Sequence, residues 1–205
     1  MNVTVTINGT PVSVDENATI LEAARAAYLK IPTLCYLKGV NEIGACRVCL
    51  VEVKGEDRLV AACSTRVADG MEVETMTARV RAARCESVKH LLARHDARCL
   101  ECPRNGTCEL QALARELDLS IEEKVTPERL ASERWDASRP FVRNAARCLT
   151  CLRCVNVCEK GLWTLVGHGP RARVVLRPNA DLASAGCATC LKCVESCPVA
   201  ALCKP

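Results

Sequence analysis

Aromatic side chains are scarce in this sequence. Phe, Trp and Tyr together make up 2% of the 205 residues. Such side chains usually contribute most to the burial of apolar surface in a protein core. The sequence instead contains 17 cysteines. We therefore expect cysteine chemistry, and not apolar packing alone, to organise much of the fold.

The sequence also lacks segments that direct a chain out of the cell or into a membrane. The first residues, Met1 to Thr6, contain neither a basic region nor a long apolar region, so they do not match a signal peptide. No apolar run approaches the ~18 residues that cross a bilayer. We therefore expect a cytoplasmic protein without a membrane span. Clustered cysteines in that reducing compartment are more often metal ligands than disulfides.

The strongest pattern is a cysteine repeat near the C-terminus. Both copies have the spacing C-x₂-C-x₂-C-x₃-C, which is typical of bacterial ferredoxins with two [4Fe–4S] clusters. In that pattern the first three cysteines bind one cluster and the fourth binds the other. Zinc sites take ligands as tetrahedral sets of four, and these runs do not divide in that way. The spacing predicts one [4Fe–4S] site at Cys148, Cys151, Cys154 and Cys197, and a second at Cys187, Cys190, Cys193 and Cys158.

Residues 1–78 are predicted to form a small β-rich domain. Polar and apolar residues alternate on both sides of Asn8-Gly9, a pair that favours a tight hairpin turn. Thr19 and Glu22 match a capping box and predict a helix over residues 20–28. A hairpin, then a helix, then further strands is the order of the β-grasp fold. The expected strands and apolar runs are residues 3–7, 12–14, 48–53, 59–62 and 71–75.

Four cysteines in this first domain form a candidate [2Fe–2S] site, namely Cys35, Cys46, Cys49 and Cys63. Plant-type ferredoxins also carry four cysteine ligands, but their first interval is C-x₄-C, shorter than the interval between Cys35 and Cys46. Gly44 and residues 37–40 are expected to wrap the backbone closely around the sulfurs. On spacing alone, a structural zinc site stays open as the alternative.

Residues 79–118 are predicted to be mainly helical. Apolar residues recur at helical spacing with arginines between them, which indicates a solvated face or, alternatively, a surface for an acidic partner. A second helix is predicted from about Cys108 to Arg115. Between the helices, three cysteines leave one corner of a [4Fe–4S] cluster open, and His95 is the candidate fourth ligand. The candidate set is His95, Cys99, Cys102 and Cys108.

Residues 95–111 resemble a known family. Their sequence, HDARCLECPRNGTCELQ, is similar to the His-Cys₃ [4Fe–4S] motif that follows a [2Fe–2S] domain in several redox enzymes. These are the large iron–sulfur subunit of respiratory complex I, [FeFe]-hydrogenases, NAD-linked formate dehydrogenases and the small diaphorase subunit of NAD-reducing [NiFe]-hydrogenases. The segments around Cys46, Cys49 and Cys63 also resemble that family's [2Fe–2S] loop. The resemblance, which extends over essentially the whole chain, implies that His95 is a ligand and that the first site holds [2Fe–2S].

The resemblance implies an iron–sulfur electron-transfer subunit of an NAD(P)-linked hydrogenase. Such a chain would carry one [2Fe–2S] and three [4Fe–4S] clusters. It would relay single electrons between a diaphorase subunit that binds flavin and NAD(P) and a catalytic hydrogenase subunit or a ferredoxin. Only eight residues follow Cys197, so we expect no catalytic domain here. The alternatives are the equivalent subunit beside a formate dehydrogenase catalytic subunit, and a free-standing multi-cluster ferredoxin.

The expected fold class is α+β with three domains. They are a [2Fe–2S] β-grasp domain at residues 1–78, a helical His-Cys₃ domain at 79–118 and a ferredoxin domain with two [4Fe–4S] clusters at 144–205, with a connecting segment at 119–143. The sequence contains no phosphate loop, dinucleotide fingerprint or catalytic triad, so no substrate site is expected. The formal charge of +4 treats cysteines as neutral, whereas bound clusters and their thiolates would bring it to about −3. We therefore expect no nucleic-acid partner.

Four further residues resemble ligands but are expected to have other roles. Cys85 shares a helical face with apolar residues and is predicted to be a buried, inert thiol. Cys203 is expected to serve packing or a partner contact. His90 has the wrong spacing from the cysteines that follow it, and His168 is expected to be a surface histidine in the loop between the two cysteine repeats.

Overall fold

The protein divides into two compact units. A computed structural model describes residues 1–122, 134–136 and 138–205. Unit 1 comprises Met1–Tyr36 and Glu42–Lys89, and unit 2 comprises Leu37–Asn41 and His90–Pro205. The predicted connecting segment at residues 119–143 lies partly outside the described residues.

Unit 1 is built on a five-stranded mixed sheet of order β2-β1-β5-β3-β4. Strands β1 and β5 are parallel, and all other neighbours are antiparallel. The predicted strands are all present, but β3 begins two residues later than expected because Val48 and Cys49 form a turn before it. The strands are β1 (Asn2–Ile7), β2 (Thr10–Asp15), β3 (Leu50–Val53), β4 (Val60–Ala61) and β5 (Glu72–Glu74).

The first hairpin forms as the sequence predicts. Asn8 and Gly9 have φ of 49° and 78°, and positive φ at both central residues is typical of a type I′ turn. Ile7 pairs with Thr10 across this turn. The resulting register directs Val5 and Ile7 into the core, where both are fully buried.

Helix α1 (Ile20–Ala26) packs its apolar face into the core of unit 1. The predicted capping box is present, because Glu22 N donates to Thr19 Oγ1 at 3.2 Å and Thr19 N donates to Glu22 Oε2 at 3.0 Å. The helix is shorter than predicted, because Tyr28 adopts φ 58° and so cannot continue it. Full burial of Ile20 and Leu21 stabilises the unit by about 1.5–3 kcal/mol each.

Helix α2 (Ala78–Ala93) exposes Arg79 and Arg81, as a solvated face predicts, but it buries Arg84. Its buried residues are Val80, Arg84 and Val88, which lie one turn apart. Arg84 is 3% exposed and donates Nη2 to the Leu50 carbonyl at 2.8 Å. Cys85 lies about 100° around the helix from Arg84 and is half-buried, not buried as predicted.

Unit 2 consists of short helices and strands between cysteine-bearing loops. Its helices are α3 (Glu109–Glu116), α4 (Arg153–Val157), α5 (Cys187–Cys190) and α6 (Lys192–Glu195), with 3₁₀ turns at Cys99–Glu101, Ala145–Arg147 and Gly169–Arg171. Strands β6 (Arg134–Trp135), β7 (Val142–Asn144) and β10 (Leu202–Cys203) form one sheet, and β8 (Trp163–Val166) pairs with β9 (Arg173–Leu176). The prediction of helix α3 is correct to within one residue at each end.

The described residues thus form a mixed helix-and-strand protein, as expected. Within those residues, no helix combines the length and apolar character needed to cross a bilayer.

Candidate iron–sulfur cluster sites

The first cysteine set lies in unit 1, where two loops meet beside the sheet. Cys46 and Cys49 lie in the turn that leads into β3, and Cys63 follows β4. Cys49 Sγ and Cys63 Sγ are 3.3 Å apart. Cys35 lies within hydrogen-bonding reach of Cys46 and Cys63. All four cysteines are buried, so the structure brings the whole predicted set together.

Hydrogen bonds among these thiols move their pKa values in opposite directions. Bonds from Cys46 and then from Cys63 lower the pKa of Cys35 to about 2, and a bond from Cys63 lowers the pKa of Cys49 to about 7. The same bonds to Cys35, together with burial, raise the pKa of Cys46 and Cys63. Because the thiolate is the form that binds metal, two positions of the set already favour the binding form.

Gly44 allows the backbone to pass closely by this set. It has φ 64°, and a Cβ at this position would lie 3.1 Å from both Ala61 Cβ and Ser64 Oγ. Residues 37–40, which were expected to wrap around the same sulfurs, group with unit 2, so their contact with the sulfurs stays a prediction. In unit 2 the next residue, Asn41, donates from Nδ2 to the Cys151 carbonyl at 3.0 Å.

We expect Gly44→Ala to destabilise unit 1 by about 1–3 kcal/mol and to lower the occupancy of the [2Fe–2S] site. The substitution is unfavourable for two reasons: the added Cβ crowds its neighbours, and alanine rarely adopts the positive φ of this position. The matched control is Gly55→Ala, where φ is 89° but nothing lies within 4 Å of the added Cβ. Thermal unfolding and visible circular dichroism of the purified protein measure both effects. Equal losses in the two variants would contradict the close approach at Gly44.

The second set lies in unit 2, where His95, Cys99, Cys102 and Cys108 line one cavity. His95 is 6% exposed, and its Nδ1 lies 3.0 Å from the Arg147 carbonyl oxygen. A carbonyl can only accept a hydrogen bond, so Nδ1 is the donor, and in the neutral imidazole Nε2 then carries the lone pair. This tautomer suits iron binding through Nε2. Cys108 is the residue before α3, and burial raises the pKa of its thiol.

The third set lines a single cavity and consists of Cys148, Cys151, Cys154 and Cys197. Two residues between its first cysteines, Thr150 and Leu152, adopt φ of 52° and 64°, which turns the chain sharply between ligands. Burial raises the pKa of all four thiols, that of Cys151 to about 12. Thiolates here therefore need a buried positive partner, which the iron of a bound cluster would supply.

The sequence alone did not predict three buried arginines near this third set. Arg143 and Arg153 line its cavity, whereas Arg147 directs its Nε towards Asp96 at 3.7 Å. Arg143, Arg147 and Arg153 are 5%, 7% and 6% exposed. Arg143 donates to the Val174 carbonyl at 2.6 Å, and its guanidinium lies 5.0 Å from the ring centre of Trp163. One feature of the sequence could have indicated that arginines lie near this set, because Arg147 and Arg153 each directly precede one of its cysteines. Buried cations beside anionic sulfurs fit a cluster with thiolate ligands.

One ion pair ties the third set to the helix that follows the second. Arg153 binds both carboxylate oxygens of Glu109, at 2.8 and 2.9 Å, and donates to the Ser196 carbonyl at 3.2 Å. Glu109 follows Cys108, Arg153 precedes Cys154, and Ser196 precedes Cys197. The pair therefore fixes the backbone beside three candidate ligands.

The fourth set is closest to the surface. Cys158, Cys187, Cys190 and Cys193 line one cavity. Cys190 is exposed, whereas Cys197 of the third set is buried. Burial raises the pKa of Cys193 to about 11 and also raises that of Cys187. The structure therefore gathers each of the four predicted sets at a place of its own.

The residues expected to have other roles lie apart from these cavities. His90 and His168 are exposed, which agrees with the prediction of a surface histidine at 168. Cys203 is half-buried in β10, where it pairs with Val142 of β7.

Family models match three consecutive parts of the chain. Residues 1–78 match a 2Fe-2S iron-sulfur cluster binding domain. Residues 84–122 match the NADH-ubiquinone oxidoreductase-G iron-sulfur binding region, and residues 123–201 match a 4Fe-4S dicluster domain. The chain thus carries [2Fe–2S] and [4Fe–4S] binding domains, which replaces the zinc alternative for the first set.

Individual relatives agree with these models. The NADP-reducing hydrogenase subunit HndD of Solidesulfovibrio fructosivorans is 37% identical over 97% of this chain and 35% of its own length. Iron hydrogenase 1 of Clostridium pasteurianum is 33% identical over 78% of this chain and 28% of its own length. This chain therefore spans about a third or less of these two longer proteins.

In two further matches, the alignment covers most of this chain and most of the other protein. The gamma subunit of the NAD-reducing hydrogenase HoxS of Cupriavidus necator is 32% identical over 90% of this chain and 79% of its own length. A chain in the crystal structure of an NAD⁺-reducing [NiFe]-hydrogenase in the H₂-reduced state superposes with a TM-score of 0.83 at 28% identity, over 98% of this chain and 86% of that one. This chain therefore belongs to the family of iron–sulfur electron-transfer subunits of NAD(P)-linked, hydrogenase-type complexes.

Proposed function

We propose that this chain relays single electrons through one [2Fe–2S] and three [4Fe–4S] clusters. The observation that carries the proposal is the gathering of each predicted ligand set at its own cavity or loop junction. When bound, each cluster supplies a site that takes up and releases one electron at a time. The protein's own part is to supply thiolate and imidazole ligands, to enclose them and to place charges beside them.

The proposed ligand assignment follows the four sets. Cys35, Cys46, Cys49 and Cys63 would hold the [2Fe–2S] cluster. Three sets would each hold a [4Fe–4S] cluster: His95 with Cys99, Cys102 and Cys108; Cys148 with Cys151, Cys154 and Cys197; and Cys158 with Cys187, Cys190 and Cys193. The proposed domains are a β-grasp domain at residues 1–78, a helical domain at 79–118, a connecting segment at 119–143 and a ferredoxin domain at 144–205. The sheet order and helix α1 of unit 1 support the first of these.

The proposed partners are a diaphorase subunit that binds flavin and NAD(P), and a catalytic hydrogenase subunit. A hydrogenase is preferred to a formate dehydrogenase because the relative and the solved chain matched over most of their length are hydrogenase chains. Anaerobic purification from native cells tests this choice. A flavoprotein and nickel in the same complex would support it, molybdenum or tungsten would indicate formate dehydrogenase, and a brown chain purified alone would indicate a diffusing ferredoxin. The cytoplasmic location stays a prediction.

We expect Cys197→Ser and Cys148→Ser to remove the same [4Fe–4S] cluster. Each single variant should lose about 4 of about 14 iron atoms per chain, and the double variant should lose no more than either. By contrast, Cys197→Ser combined with Cys190→Ser should lose about 8, because those cysteines are assigned to different clusters. Iron analysis and low-temperature EPR of anaerobically prepared protein measure the losses.

Cys203→Ser is the matched control, since Cys203 lies close to the C-terminus as Cys197 does but in none of the four sets. It should leave the iron content unchanged. The assignment of Cys197 fails if the Cys148/Cys197 double variant loses about 8 atoms.

A further inference from the structure

A hydrogen bond joins the second and third ligand sets inside unit 2. His95 belongs to the second set, and its Nδ1 donates to the Arg147 carbonyl at 3.0 Å. Arg147 is bonded through its peptide to Cys148, the first cysteine of the third set. From Nε2 of His95 to Sγ of Cys148, the connection consists of covalent bonds and this one hydrogen bond.

Neighbouring contacts hold the two segments together at this point. Asp96 N donates to the Ala146 carbonyl at 3.0 Å, directly beside the His95 bond. The Asp96 carboxylate accepts from Arg98 at 2.9 Å and from Asn144 Nδ2 at 3.2 Å. Asn144 Oδ1 in turn accepts from Ala146 N at 3.0 Å. Residues 95–96 are therefore fixed against residues 144–147 by bonds that do not involve the imidazole.

We propose that the Nδ1–H···O=C bond between His95 and Arg147 is the route by which electrons pass between these two sets. The proposal rests on the ligand assignment under the proposed function. One electron leaves the reduced site, the other site is reduced by that electron, and no proton is transferred and no covalent bond changes. Electronic coupling falls more steeply across a gap than along bonds, so a route with one hydrogen bond and few covalent bonds is favoured.

Other connections between the two sets are also observed. The Arg153–Glu109 ion pair is much longer in bonds, because it runs from Cys154 through both whole side chains before reaching Cys108. A backbone bond from Glu109 N to the Pro198 carbonyl, at 3.3 Å, links Cys108 to Cys197, but it also takes more covalent bonds than the histidine route because it passes along the backbone of Pro198 and Cys197. The histidine route needs only one ring and one hydrogen bond to reach the residue before Cys148. The histidine therefore has a second task besides ligation, which a cysteine ligand, with no second donor atom, does not supply.

The test replaces His95 in the full-length, cluster-loaded protein with Nδ1-methylhistidine. This residue keeps Nε2 for iron, removes the donated proton and puts a methyl group in its place, which separates the ring from the Arg147 carbonyl. After pulse reduction, freeze-quench EPR follows how fast the electron equilibrates between the two sites, and redox titration supplies their potentials. We expect unchanged iron content and an equilibration rate about 10-fold or more below wild type at matched driving force. A loaded variant with the wild-type rate overturns the proposal.

His95→Cys is the second variant, and it covers the case in which the methyl group prevents loading. It keeps a fourth ligand but has no donor for the Arg147 carbonyl. We expect a loaded cluster with a lower potential, because a thiolate adds negative charge, and again a slower rate after correction for that potential. A corrected rate equal to that of wild type also overturns the route. Absence of the second set's EPR signal from wild type itself would instead overturn the ligand assignment, and the route with it.

Discussion

Removal of iron from the anaerobic holoprotein is expected to unfold the described parts of unit 2 while the sheet of unit 1 persists. Helices α4, α5 and α6 are five, four and four residues long, and helices of this length are not stable by themselves. Their loops supply the sulfurs that would bind iron, so metal binding contributes directly to folding. Unit 1, by contrast, has a continuous apolar core that contains Val5, Ile20 and Val51.

Hydrogen–deuterium exchange measured by mass spectrometry compares the protection of backbone amides in the two units in one experiment. Peptides from residues 187–197 should lose protection when iron is removed, whereas peptides from residues 2–7 should keep most of it. Reconstitution with iron and sulfide should restore the lost protection. Native-like protection of residues 187–197 without iron would show that packing alone holds that region.

Glu109→Ala is expected to destabilise the holoprotein by about 2 kcal/mol. The variant leaves the guanidinium of Arg153, 7% exposed, without its carboxylate partner. Loss of one partner of a buried ion pair costs about 3–5 kcal/mol, and we reduce this figure because the Glu109 side chain is 41% exposed and partly screened by water. Chemical denaturation under anaerobic conditions, monitored at the cluster absorption band, measures the change.

Glu101→Ala is the matched control for this prediction. Glu101 also pairs with an arginine, Arg98 at 3.1 Å, but its side chain is 67% exposed, so its loss should matter far less. Adding Arg153→Met to Glu109→Ala should recover part of the lost stability, because the unpaired buried charge is then removed as well. If the Glu109 and Glu101 variants are equally stable, the ion pair has no special role.

The candidate ligands were predictable because cluster geometry restricts cysteine spacing. Three cysteines at C-x₂-C-x₂-C can bind one cluster from a single loop, and the structure places Cys148, Cys151 and Cys154 around one cavity with Cys197. The first hairpin was predictable for a comparable reason, since Asn8-Gly9 favours positive φ at both positions. Both patterns depend only on residues close together in the sequence, so they can be recognised without knowledge of the tertiary fold.

Contacts between distant parts of the chain were not predictable from the sequence. Arg84 is buried because a carbonyl 34 positions away accepts its hydrogen bond. Asn41 is likewise fully buried, and it bonds a carbonyl 110 positions away. Neither residue type indicates burial by itself, because arginine and asparagine are mostly exposed unless the fold supplies a partner. These partners are known only once the fold is known.

The unequal enclosure of the third and fourth sets has a consequence for handling the protein in air. Oxidation of cysteine sulfur follows its exposure, and Cys190 is exposed while Cys197 is buried. On the proposed assignment, oxygen and chelators therefore reach the fourth cluster first. Damage begins at the fourth cluster, and a partly bleached sample retains the third cluster, and the first with its four buried cysteines, for longer.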